Sequence, residues 1–89
     1  MADDVLDRLL DLVRFVAGEH RVPAELGADT PLGAGGLELD SATTLELIVG
    51  CEAEFSVTFD PRRDLTPDAM RTVGSLAASL RRVRGVASP

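Results

Sequence analysis

Leu37-Glu38-Leu39-Asp40-Ser41-Ala42-Thr43-Thr44-Leu45-Glu46-Leu47, running on through Ile48-Val49-Gly50-Cys51-Glu52-Ala53-Glu54-Phe55, is the stretch whose reading decides the fold. Leu47, Cys51 and Phe55 recur at i, i+4 and i+8 with Ile48 beside them, the spacing of one buried helical face. Asp40 precedes the run as an N-cap candidate, so a helix over 41–55 is predicted. Leu45 and Val49 fall on an adjacent strip, flanked by Glu46 and Glu52. Glycine in mid-helix costs about 1 kcal/mol relative to alanine, so Gly50 is expected to relieve a packing contact.

Working outward, Val5, Leu6, Leu9, Leu10, Val13 and Val16 recur at three and four and predict a first helix over 4–17. Asp3 and Asp4 complement the positive end of its dipole, and Gly18 is placed to end it. Residues 18–39 contain Pro23, Gly27, Pro31, Gly33, Gly35 and Gly36, which argues against regular structure. Leu26, Leu32, Leu37 and Leu39 within them imply a long loop pinned to the core. On the other side, Thr66-Pro67-Asp68 reads as cap, first-turn proline and dipole-complementing acid, opening a short third helix through Met70. Thr72 caps a fourth, with Val73, Leu76, Ala77, Leu80 and Val83 on one face and Arg81, Arg82 and Arg84 near its negative end. Residues 85–89 read as a flexible tail, leaving a single domain over 1–84.

Composition agrees with helices. In 89 residues there is no Trp, no Tyr and only three Phe, so the core must be built mainly from Leu, Val and Ala. A lone cysteine, Cys51, rules out an internal disulfide, and with His20 as the single histidine a four-ligand Cys/His metal site is excluded. No metal site is expected, and a reducing, cytoplasmic home fits. No apolar run approaches the length of a membrane span, and the first residues are acidic where a signal peptide would be basic. The net charge of −6 repels nucleic acid and anionic lipid, leaving basic proteins as the expected partners of a monomer. The charge is uneven: residues 1–60 hold thirteen acids and three arginines, 61–89 two acids and six arginines.

Asp40-Ser41 at a helix start, the Leu45-Glu46-Leu47 triplet, and the Glu52, Glu54, Phe55 helix end followed by Phe59 together resemble the acyl carrier protein family. Thr72-Val73 opening the last helix extends the resemblance over nearly the whole chain. Two positions depart from the family pattern. Ala42 stands where Leu or Ile usually follows the modified serine, and Glu38 where Gly usually lies two residues before the Asp. The resemblance implies an all-α four-helix bundle of the acyl carrier protein type, with a long loop between the first two helices and a short third helix. It further implies 4'-phosphopantetheine, taken from coenzyme A and attached to Ser41 by a separate phosphopantetheinyl transferase, with Asp40 assisting the attachment. The long connection between the second and fourth helices resembles free-standing carriers of specialised metabolism, polyketide or antibiotic biosynthesis among them.

A serine suits that role on physical grounds, because a phosphodiester at a helix N-terminus meets unpaired N–H groups and the positive dipole end. A cap without cofactor is the alternative use of the same Asp-Ser pair. No histidine lies near Ser41 in sequence and its flanks lack the G-x-S-x-G elbow, so it reads as an acceptor in a non-catalytic protein. Cys51, on the Leu47/Phe55 stripe, reads as inert core; His20 reads as a solvated loop residue. The expected partners are the transferase and acyl-loading or acyl-processing enzymes such as a ketosynthase or acyltransferase, met through Leu45, Glu46, Val49 and Glu52. A peptidyl or aminoacyl carrier loaded by an adenylation enzyme, and a helical interaction module that is never modified, remain alternatives.

Overall fold

The computed structural model describes residues 4–18 and 22–87; Asp3 and His20, singled out above, lie outside them. Four helices follow in chain order: α1 (Val5–Ala17), α2 (Ser41–Phe55), α3 (Pro61–Asp64) and α4 (Val73–Ala87). Among the described residues there is no strand, only an isolated antiparallel bridge between Pro31 and Thr72. The chain is all-α, as its apolar spacing predicts.

The first helix is the hub, since both α2 and α4 pack against it. Its stripe buries Val5, Leu9, Val13 and Ala17. These join Leu47, Ile48, Cys51 and Phe55 of α2 and Val73, Leu76, Ala77, Leu80 and Val83 of α4 in one apolar core. Leu9, Leu47, Leu76 and Leu80 are wholly sealed from solvent. A Cβ at Gly50 would lie 3.1 Å from Leu12 Cδ1, so the missing side chain lets α2 approach α1 closely. At the far end of α2, the Arg8 guanidinium sits 4.5 Å from the Phe55 ring centroid and donates to both the Glu54 carboxylate and the Glu54 carbonyl.

Three features differ from the sequence reading. The short third helix lies at Pro61–Asp64, not at 66–70. There, Asp60 supplies the cap by accepting from the Arg62 N–H at 3.1 Å, and Pro61 occupies the first turn. The Thr66 segment forms a turn in which Thr66 Oγ1 accepts from Ala69 N–H and the Thr66 carbonyl from Met70 N–H. Finally, α4 continues through Gly85 to Ala87, past the point where the tail was placed.

Burial separates the apolar residues by energetic weight. Leu47→Ala should cost about 2–5 kcal/mol, and Cys51→Ala less. Phe15→Ala, removing a ring that is 85% exposed, should change stability by less than about 0.5 kcal/mol. Urea midpoints of the three variants test this ranking, and a Phe15→Ala loss equal to that of Leu47→Ala would contradict the packing described.

Candidate functional site

The long loop delivers Asp40 and Ser41 by lying across the start of α4. The N–H groups of Val73 and Gly74 donate to the carbonyls of Thr30 and Ala28 at 3.0 and 2.7 Å, so the loop satisfies donors that a helix start leaves open. Leu32 and Leu37 are buried beneath it, and Leu39 N–H donates to the Leu32 carbonyl. The turn closes through Gly36, where a Cβ would collide with the Pro31 carbonyl oxygen, so no other residue fits there. Glu38 then takes a left-handed conformation, φ 52°, and the chain enters α2.

Asp40 caps that helix: its Oδ1 accepts from the Thr43 N–H at 2.8 Å. Ser41 is the first helical residue and is exposed, as is Ala42. Their N–H groups have no acceptor within the helix, so an anion on the Ser41 oxygen would meet donors and the positive dipole end. Ser41 borders an apolar groove of about 650 Å³ between α2 and the 59–70 segment, walled chiefly by Leu39, Leu45, Ile48, Phe59, Leu65 and Met70. Its charged lining residues are Asp40 and Glu52, and none is cationic. Among the described residues no group of three His, Cys, Asp or Glu is placed to hold a metal ion.

The far wall of the groove is held by two polar clasps. Glu52 Oε2 accepts from the Phe59 N–H at 2.8 Å, and buried Asp64 accepts from the Asp60 N–H at 2.7 Å. Ser79 Oγ donates to the Asp64 carbonyl at 2.7 Å, fastening α3 to α4. Both Arg63 and Arg82 face Asp64 Oδ1, at 3.6 and 3.8 Å.

The structure brings the sequence-derived residues together unequally. Asp40, Ser41, Leu45, Val49 and Glu52 all border the groove, with Leu45 63% and Val49 55% exposed. Glu46 is exposed but does not line it. Glu52, expected as a free docking acid, is half-buried and its carboxylate holds the loop after α2. Leu65 and Met70 of the far wall carried no functional reading in the sequence; their only signal was apolar character beside a turn. Cys51 is sealed from solvent, and burial, with Glu52 adjacent, pushes its thiol up to about 12.

In comparisons with protein-family models, with curated proteins and with solved structures, nothing matches this chain.

Two expectations follow from this geometry. Asp40→Ala should lower stability by about 1 kcal/mol through loss of the cap, while Asp40→Asn should keep most of it; thermal denaturation reads the difference. Raising the Cys51 thiol from 9.0 to about 12 should slow alkylation of the folded protein at pH 8 by about a thousandfold relative to the urea-unfolded chain, since the thiolate is the nucleophile. The same shift favours the neutral thiol in the folded state, so stability present below pH 9.0 declines as pH rises towards 12. Fast labelling of the native protein would contradict the burial.

Proposed function

We propose that this chain is an acyl carrier protein, which holds acyl groups as thioesters on a 4'-phosphopantetheine arm attached to Ser41. The observation that carries this reading is an exposed serine opening an Asp-capped helix, beside an apolar groove whose lining holds no histidine. The Asp40-Ser41 and Leu45-Glu46-Leu47 pattern noted in the sequence supports the same reading.

In attachment, the Ser41 oxygen bonds to the phosphorus that carries the pantetheine of coenzyme A, the pyrophosphate bond breaks, and adenosine 3',5'-bisphosphate leaves. A phosphopantetheinyl transferase supplies the base that takes the serine proton, as well as the magnesium. The arm, when present, supplies a thiol for thioester chemistry. This chain's own residues hold the helix start in place through Asp40, present donors to the phosphate through the first turn of α2, and wall the adjacent groove. The protein catalyses nothing itself, and its cargo comes from acyl-loading and acyl-processing enzymes of polyketide or related specialised metabolism. Those enzymes meet the exposed face of α2, where Leu45 and Val49 give apolar contact and Glu46 gives charge.

Intact mass measured after incubation with coenzyme A, magnesium and a promiscuous phosphopantetheinyl transferase tests the proposal. The wild type should gain one arm, and Ser41→Ala none, with its helicity unchanged by circular dichroism. A mass gain that persists in Ser41→Ala, or no gain in the wild type, would overturn it. For partner recognition, Glu46→Arg should slow modification by about tenfold through association rate, and salt should slow the wild type in the same direction. Glu52→Gln, which keeps an acceptor for the Phe59 N–H, separates charge from loop support. Equal rates for wild type and Glu46→Arg at low salt would move recognition off this helix.

A further inference from the structure

Residues 61–89 carry six arginines against two acids, Asp64 and Asp68. Asp68 is held by Arg71, whereas Asp64 lies buried at the end of α3 with Arg63 and Arg82 facing it. Those two arginines line a hollow of about 380 Å³, completed by Ser56, Val57 and Thr58 after α2 and by Val83 of α4. Asp64 is the one acid in its lining. A helix rises about 1.5 Å per residue, so the fifteen residues of α2 set this hollow about 20 Å from Ser41.

Neutralising Asp64 does not exhaust the two arginines. The carboxylate accepts its hydrogen bond from the Asp60 N–H, and the guanidinium nitrogens stand 3.6 and 3.8 Å from Oδ1, beyond hydrogen-bond distance. The Arg63 guanidinium makes no hydrogen bond among the described residues, and Arg82 donates to Ser79 Oγ at 3.3 Å. Each guanidinium carries five donors in a planar fork, so most of them remain for another acceptor. Their side chains are 72% and 57% exposed.

The charge and shape select the occupant. Two guanidiniums against one carboxylate leave a single positive charge, which matches one further carboxylate better than a phosphate dianion, and a guanidinium meets a carboxylate with two parallel bonds. Arg63 and Arg82 also line a second hollow of about 470 Å³, with Thr66 and Ser75. The pair therefore forms a ridge with space on both sides, which an extended chain can cross. The net charge of −6 holds off nucleic acid and anionic membrane, which approach as large polyanions. A second copy is disfavoured, because a contact of basic end with acidic end is head-to-tail and does not close on itself in a pair.

We propose that the Arg63/Arg82 ridge is a docking site for an extended, acidic segment of a partner protein, one Asp or Glu side chain of which seats against the two guanidiniums. The site lies at the opposite end of α2 from Ser41 and requires no arm, so it goes beyond the carrier reading and stands or falls apart from it.

The test uses the full chain carrying Ser41→Ala, isotope-labelled for NMR of backbone amides and arginine Nε–H groups, so that its outcome is independent of modification. The probe is a synthetic peptide of alternating glutamate and serine; its control has glutamine for glutamate. The glutamate peptide should shift the Nε–H signals of Arg63 and Arg82 and the amides of Thr58 and Val83, with affinity that falls as salt rises. Arg63→Gln and Arg82→Gln should each weaken it by about threefold, as for exposed ion pairs. Arg62→Gln, which removes the same charge from a residue lining neither hollow, should weaken it less. The Arg63→Lys/Arg82→Lys double variant keeps both charges beside Asp64, so it folds if the glutamine variants do not, and the loss of the forks should still weaken binding. The glutamine peptide should not bind. Equal losses from Arg62→Gln and Arg63→Gln, unchanged affinity in the lysine variant, shifts confined to other surfaces, or no binding of the glutamate peptide would overturn the proposal. So would tighter binding of inorganic phosphate or phosphatidylglycerol vesicles at the same arginines, or self-association in sedimentation that Arg82→Gln abolishes.

Discussion

Leu9 and Val13, sealed within the core on a helix that packs against both of its long neighbours, are the constraint on which the rest of the structure depends. With no Trp or Tyr to fill space, the core is closed mainly by branched aliphatic side chains together with Phe55 and Phe59, and α1 is where the faces of α2 and α4 converge. A domain of this size is stabilised by a small difference between large terms, so this single packed junction cannot be loosened without loosening everything. Once Leu47, Cys51 and Phe55 are turned inward, the outward side of α2 is determined. Ser41 must then emerge at the helix start, and Leu45, Glu46 and Val49 must face solvent.

Polar groups do a different job, at the margins of that core. The Phe59 and Asp60 N–H groups lie where the chain turns away from α2, and part-buried donors there are paired with acceptors. Glu52 and Asp64 supply them, and Ser79 secures the Asp64 carbonyl from α4. The groove beside Ser41 therefore has one wall made of packed helix and another suspended from three hydrogen bonds. Glu52 thus stands between two roles, as part of the acidic face and as the bond that keeps Phe59 in the groove wall.

The parts of this architecture that obey local rules were legible in the sequence. The span of α2 follows from the Leu47/Cys51/Phe55 stripe and from Asp40, which caps it as its position implies. Gly50 announced a close contact, and Leu12 provides it. What local rules could not settle was the choice between two rival caps, Asp60-Pro61 and Thr66-Pro67. The first carries the helix because Asp64 reaches back to the Asp60 N–H and is fastened by Ser79, fifteen residues away, a tertiary contact with no local signature. The hydrogen bond of Glu52 has no local signature for the same reason, its partner being seven residues downstream across a turn. Phe15 lay outside the α1 stripe, but only the position of α2 shows that it stands next to Leu45 and Val49.

Leu45 and Val49 line two grooves at once, the one beside Ser41 and one between α1 and α2 bordered by Leu12, Phe15 and Val16. Because the same two side chains form a wall of each, replacing either alters the shape of both surfaces together, and no single substitution at 45 or 49 probes one side of the helix alone.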